Sequence, residues 1–176
     1  SKIKAYNFTE TDQNRTRAFL DKLIRHRVEV LKTGTHSYSV PTEQPQYRMV
    51  QTFFETYDTY RDSVYYDASA WSVANFYNIK YKTALKTPSG TPVVLEDLIQ
   101  LQTLQKSNYA YVVESKDYYI PALTYYLQDQ GITVASAFKP FGTKEKGLFS
   151  FGSLVIPVAP QKKSAEEVYE ILSQAQ

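Results

Sequence analysis

Residues 108–138 read NYAYVVESKDYYIPALTYYLQDQGITVASAF. The first seven form an apolar, β-rich run, which predicts a strand. A polar corner, ESKD, follows. Ile120, Leu123 and Leu127 then recur at helical spacing and predict a helix with one buried face. Pro121 fits its first turn, where a missing N–H costs nothing. Gly131 supplies the left-handed residue that ends it. ITVASAF resumes as a strand. The stretch is therefore strand, helix, strand, the βαβ pattern that normally places two strands parallel in one sheet.

Working outward, the same alternation recurs. Residues 3–8, IKAYNF, predict a strand. Thr9 and Thr11 are candidate caps for a helix whose apolar face is Phe19, Leu20, Leu23 and Ile24. Arg25, His26 and Arg27 crowd its last turn, where cations suit the helix dipole. Residues 28–31, VEVL, read as the next strand. After a short extended piece, SYSV, a helix opens at Thr42 or Glu43, with Pro45 in its first turn and Tyr47, Val50 and Phe54 on its buried stripe. Residues 63–66 predict a strand and residues 70–77 a helix. Residues 79–106 hold a turn at Ser89-Gly90 and a segment, LEDLIQLQTL, compatible with helix or extended chain. KPFGTKEKG reads as a polar loop. SLVIPV reads as a strand buried on both faces, and a last helix carries Ala165, Val168, Ile171 and Leu172. The alternation predicts an α/β fold: a three-layer sandwich with a mostly parallel sheet and helices on both faces. Ligands of such folds sit beyond the C-terminal ends of the strands. The candidate rim positions are residues 33–38, 67–71, 114–118 and 138–142.

The composition narrows the function classes. A chain of 176 residues is long enough for one domain with a substantial core, burying roughly 70% of its unfolded surface. Twenty basic and 18 acidic residues leave a net charge of +2, too balanced for a nucleic-acid partner. No apolar run approaches the ~20 residues of a membrane span. The absence of cysteine removes thiol catalysis, disulfides and thiolate metal sites. Sixteen tyrosines, several in pairs, suit half-buried surfaces. They fit a covered interface or simple packing at layer edges.

Each catalytic pattern in the sequence has a plainer alternative. Ser69 lies where a nucleophile elbow would stand, but Asp67 and Trp71 occupy the places that need small residues. A serine also needs a base, and only His26 and His36 exist. Capping a helix is the simpler role for Ser69. Glu114, Ser115 and Lys116 form the second strand-to-helix corner and are candidate rim-binding residues; Ser115 or Asp117 serves equally well as an N-cap. His26 and Glu29 spell H-x-x-E, half of a zinc pattern, yet a further ligand would have to come from elsewhere. No phosphate-binding glycine loop is present. No metal site is expected in this chain.

Two longer blocks carry a resemblance. Residues 40–48, VPTEQPQYR, and residues 62–71, DSVYYDASAW, resemble the region downstream of the catalytic domain in bacterial zinc carboxypeptidases of the carboxypeptidase A-like superfamily. YAYVVESKDYYIPALTYYL and FGSLVIPV look like later parts of that region. The resemblance implies a single accessory domain, residues 1–176, excised from a longer multidomain peptidase. Its fold would be flavodoxin-like, similar to class I glutamine amidotransferases. The amidotransferase nucleophile is a cysteine, so that activity does not carry over. The zinc ligands belong to the upstream peptidase domain, so zinc is expected there and no cofactor here. The resemblance also implies a periplasmic or secreted protein whose partner is that upstream domain. Glu43, Trp71 and the tyrosines near the strand ends are the expected contacts. An independent serine hydrolase or a carbohydrate-binding module are the alternatives.

Overall fold

The computed structural model describes residues 2–56, 72–98, 103–143 and 147–175. The chain divides into two compact units, residues 1–99 and 100–176.

The first unit begins with β1 (Ala5–Thr9), α1 (Gln13–Arg25), β2 (Leu31–Lys32), β3 (Ser37–Pro41) and α2 (Tyr47–Phe54). α3 (Val73–Phe76), β4 (Tyr81–Ala84), β5 (Thr91–Pro92) and a 3-10 turn at Leu95–Leu98 follow among the described residues. Its sheet runs β4-β1-β3-β2-β5, and every neighbouring pair is antiparallel. α1 starts at Asp12, whose carboxylate accepts the backbone N–H groups of Asn14 and Arg15. That fills donors the helix leaves unpaired, and the predicted threonine caps are not used. α2 likewise starts later than expected: Thr42 donates its hydroxyl to the Ile3 carbonyl, and Pro45 stands in the turn ahead of the helix. The core is aromatic. Phe19 lies edge-on to Phe8 and Phe54, and Tyr6 stacks on Phe54 at 4.8 Å. Such pairs add to the burial of their rings.

The second unit contains β6 (Ala110–Val113), α4 (Ile120–Asp129), β7 (Ala135–Ser136), β8 (Phe141–Thr143), β9 (Gly147–Phe149), β10 (Leu154–Pro157) and α5 (Ala165–Gln174). β6, β10 and β7 form one sheet in that order, both pairings antiparallel, and β8 pairs with β9 as a separate hairpin. The core is aliphatic, built on Leu127, Ile132, Leu154, Ile156, Val168 and Leu172. Ser164 and Glu167 close a reciprocal capping box on α5.

The expected mostly parallel, three-layer, flavodoxin-like sandwich is not the observed fold. The strand–helix–strand alternation is present in both units, and β1 and β2 do run the same way, since each is antiparallel to β3. The later strand β3 inserts between them, however, and β10 inserts in the same way between β6 and β7. Hydrophobic periodicity reports which segments are strands, not which strand arrives later to separate two others. β10 also alternates buried and half-buried residues, so it is covered on one face, as antiparallel strands commonly are. KPFGTKEKG is no plain loop, because it contributes to both strands of the β8–β9 hairpin.

The two units share one arrangement, β-α-β-β-α with the last of these strands central, the second unit carrying the β8–β9 hairpin between β7 and β10. Ala5-Tyr6 face Pro41-Val40, and Ala110-Tyr111 face Pro157-Ile156. Thr42 N donates to Lys4 O at 2.9 Å, and Val158 N to Tyr109 O at 2.9 Å. Asp12 and Asp117 each accept the N–H two residues on. α1 and α4 both end on a residue of positive φ, Arg27 and Gly131, followed by matching bonds from Val28 N to Leu23 O and from Ile132 N to Leu127 O.

Candidate functional site

The β6–α4 corner gathers three of the expected site residues. Asp117 accepts the Tyr119 N–H at 2.9 Å and its own N–H bonds Glu114 O, which turns the chain from strand into helix. Glu114 Oε1 accepts the Ser150 N–H at 3.3 Å and the Ser115 hydroxyl at 3.4 Å. Ser115 N donates to Ser153 Oγ, and the fully buried Ser153 hydroxyl donates to Ser150 O at 2.8 Å. The corner is thus tied to the segment that enters β10.

The electrostatics follow from these partners. Desolvation raises the Glu114 pKa, but the Ser150 hydroxyl and N–H, the Lys116 charge and the Ser115 hydroxyl together outweigh it, and the net shift is downward. A carboxylate held ionised by donors is a weak proton acceptor, since those bonds favour its charged form. The Ser115 hydroxyl points to this carboxylate rather than to an imidazole. The corner is suited to holding a cation or a hydroxyl group, not to activating a nucleophile. Lys116 is exposed beside it, and Tyr118 and Tyr119 meet edge-to-face at 5.1 Å.

The other expected residues are placed apart from it. Glu43 is 81% exposed and makes a 3.5 Å surface pair with Lys4, worth roughly 0–1 kcal/mol. Ser69 and Trp71 lie outside the described residues, as does the strand expected at residues 63–66. The helix expected to follow is present only as the single turn α3. His26 ends α1 with its ring 6.2 Å from that of Phe53, and the backbone of Glu29 is engaged by Gln44. Among the described residues no three His, Asp or Glu side chains are grouped to hold a metal ion. His36 lies in the β2–β3 turn, where its carbonyl accepts the Glu10 N–H.

Two residues with defined roles were missed. Gln44 Oε1 accepts Glu29 N at 2.7 Å, while its Nε2 donates to Glu29 O and Pro41 O at 3.2 and 2.6 Å. Gln161 Oε1 accepts Thr133 N at 2.9 Å, and its Nε2 donates to Thr133 O and Pro157 O, both at 2.7 Å. Each amide stands in for a missing strand, satisfying both backbone groups of one residue. The signal was in the sequence: a Pro at the end of the central strand with Gln three or four residues later, Pro41/Gln44 and Pro157/Gln161.

Exposed apolar side chains occur in both units: Phe76 and Leu85 in the first, and a further set in the second. Phe138 is 84% and Phe151 64% exposed, with Leu148 and Tyr125 also largely bare. Ala137 N bonds Ser153 O and Gly152 N bonds Ala137 O, so Phe138 and Phe151 flank one hydrogen-bonded rung. Among the described residues no helix is long and apolar enough to cross a membrane. In comparisons with protein-family models, curated proteins and solved structures, nothing matches the chain.

Proposed function

We propose that the chain is a non-catalytic accessory module of a zinc carboxypeptidase-type polypeptide, buttressing the peptidase domain or helping it to hold substrate. The observation that carries the reading is the pair Phe138 and Phe151, exposed on the hydrogen-bonded segments that follow β7 and precede β10, with Leu148 also bare on β9. Large aromatic side chains left in water together are the usual mark of a surface that another body covers. The peptidase domain of the same polypeptide is the partner that the blocks at residues 40–48 and 62–71 imply. Zinc would reside in that domain, and a periplasmic or secreted location goes with the same reading.

The test uses the longer polypeptide with its peptidase domain attached. Phe138→Ser with Phe151→Ser should lower the thermal midpoint of the peptidase domain, or raise its KM, while leaving the thermal midpoint of the isolated module unchanged. Unchanged peptidase stability and kinetics in the double variant would remove the proposal, as would peptide or ester hydrolysis by the purified chain alone.

A further inference from the structure

The sheets of the two units differ at both edges: β5 lies outside β2 and β4 outside β1, whereas β7 and β6 have no outer neighbour among the described residues. In the first unit β4 pairs antiparallel with the outer side of β1, setting Ala84 opposite Ala5, Lys82 opposite Asn7 and Tyr81 opposite Phe8. The corresponding outer side of β6 has no strand among the described residues. Tyr109 O is taken by Val158 N. Antiparallel alternation then turns Tyr111 and Val113 toward β10, and Ala110 and Val112 outward. Ser107 Oγ accepts the Ala110 N–H at 3.3 Å. Among the described residues the Ala110 carbonyl and both backbone groups of Val112 have no partner, which leaves a pairing edge, a ready template for an added strand.

We propose that this edge of β6 docks an extended basic–aromatic peptide strand in the register that β4 holds against β1. The first unit shows what such an occupant needs. Tyr81 meets Tyr6 and Phe54 edge-on, and its hydroxyl bonds the Phe54 carbonyl. Transposed to β6, the aromatic residue stands opposite Val113, beside Tyr111 and the end of α5. The residue before the aromatic, Lys80 in the first unit, falls opposite Glu114 instead of Thr9. Glu114 is held ionised at that place, so a cation there is matched by charge. The occupant is therefore a strand of the pattern basic-aromatic-x-x-small. This inference rests on the sheet edge and stands apart from the peptidase reading.

The experiment is binding of a labelled, end-blocked peptide, IKYKTAL, copied from residues 79–85, to the full chain, followed by fluorescence anisotropy. Saturable binding is expected. N-methylation of the residue paired with Val112 should weaken it about tenfold, the equivalent of one lost hydrogen bond. Val112→Pro should do the same, since an outward N–H on an edge strand can be spared. Glu114→Gln should weaken it about threefold at low salt. The methylated peptide and Glu114→Gln decide the matter should the proline variant fail to fold. Absence of binding, or binding indifferent to both methylation and Glu114→Gln, overturns the proposal. Self-association abolished by Val112→Pro would make a second copy the occupant and overturn it too.

Discussion

β1 brings Tyr6 and Phe8 to the first core, while β6 brings Tyr111 and Val113 to the second. The helices follow suit. α2 buries Val50, Phe53 and Phe54, whereas α5 buries Val168 and Leu172 at corresponding places. One topology is thus filled once with rings and once with aliphatic chains. What the two fillings share is polar: an aspartate at the first helix, a positive-φ residue after it, and a glutamine amide bonded to a strand-like backbone. Side-chain volume can be exchanged between such units if the total is kept. Backbone groups away from water have no comparable freedom, because each needs a partner. The arrangement is specified by its backbone partners and only then filled.

That contrast can be broken most forcefully through the cores. Phe19→Ala removes the ring that meets Phe8, Phe53, Phe54 and Tyr77 together. It should cost about 3–5 kcal/mol by denaturant unfolding. Leu127→Ala, in the second core, should cost about 2–4 kcal/mol. A loss under about 1 kcal/mol for Phe19→Ala would show that the ring cluster is not the first unit's main source of stability.

The glutamines come next. Gln44→Ala and Gln161→Ala each strip partners from an N–H and two carbonyls, and water replaces some of them, since these sites border solvent. Each should cost about 1–2 kcal/mol. The two losses should agree within about 0.5 kcal/mol if the amides are equivalent devices. A large loss in one unit and none in the other would break the parallel.

Much of this was legible in the residues. The strands near residues 5, 37, 110 and 154, the helices ending at Arg25 and Asp129, and the left-handed Gly131 all follow from apolar spacing and cap chemistry. The strand order did not follow, because a helix between two strands says that they run alike but not that they touch. β2 and β7, at two residues each, are too short to carry a period. The cap at Asp12 was obscured by threonine neighbours of the same capping class, whereas Asp117 was one of two candidates for its corner and in fact bonds Tyr119 N one residue ahead of α4. Of the site residues, Glu114, Ser115 and Lys116 do share one corner. What that corner does was not readable, since its partners Ser150 and Ser153 lie more than thirty residues along the chain.

The helix ends give a sharper comparison at smaller energy. Arg27 has φ 59° and Gly131 has φ 72°, a region that costs an L-residue roughly 1 kcal/mol and glycine little. Gly131→Ala should therefore destabilise by about 1 kcal/mol, and Arg27→Gly should stabilise by a few tenths up to about 1 kcal/mol. Opposite signs at equivalent positions are the expected outcome, read from chemical denaturation of both variants. Equal signs would mean that the two helix ends are not equivalent.

The smallest effect concerns acid. Glu167 has its pKa lowered by the Ser164 N–H, then by the Ser164 hydroxyl, with burial opposing and Lys163 assisting. Glu114 is also lowered. A carboxyl whose folded pKa lies below its unfolded value stabilises the fold above that value, and the contribution fades as pH falls through the folded pKa. Here the unfolded value is near 4.5, so the second unit should lose stability progressively below that pH. Glu167→Gln keeps the capping box, since an amide oxygen still accepts the Ser164 N–H, but it cannot titrate. The variant should match the parent closely in thermal midpoint at pH 7 and show a shallower decline between about pH 4.5 and pH 3. An unchanged acid slope would mean that the box is not ionised in the way its donors imply.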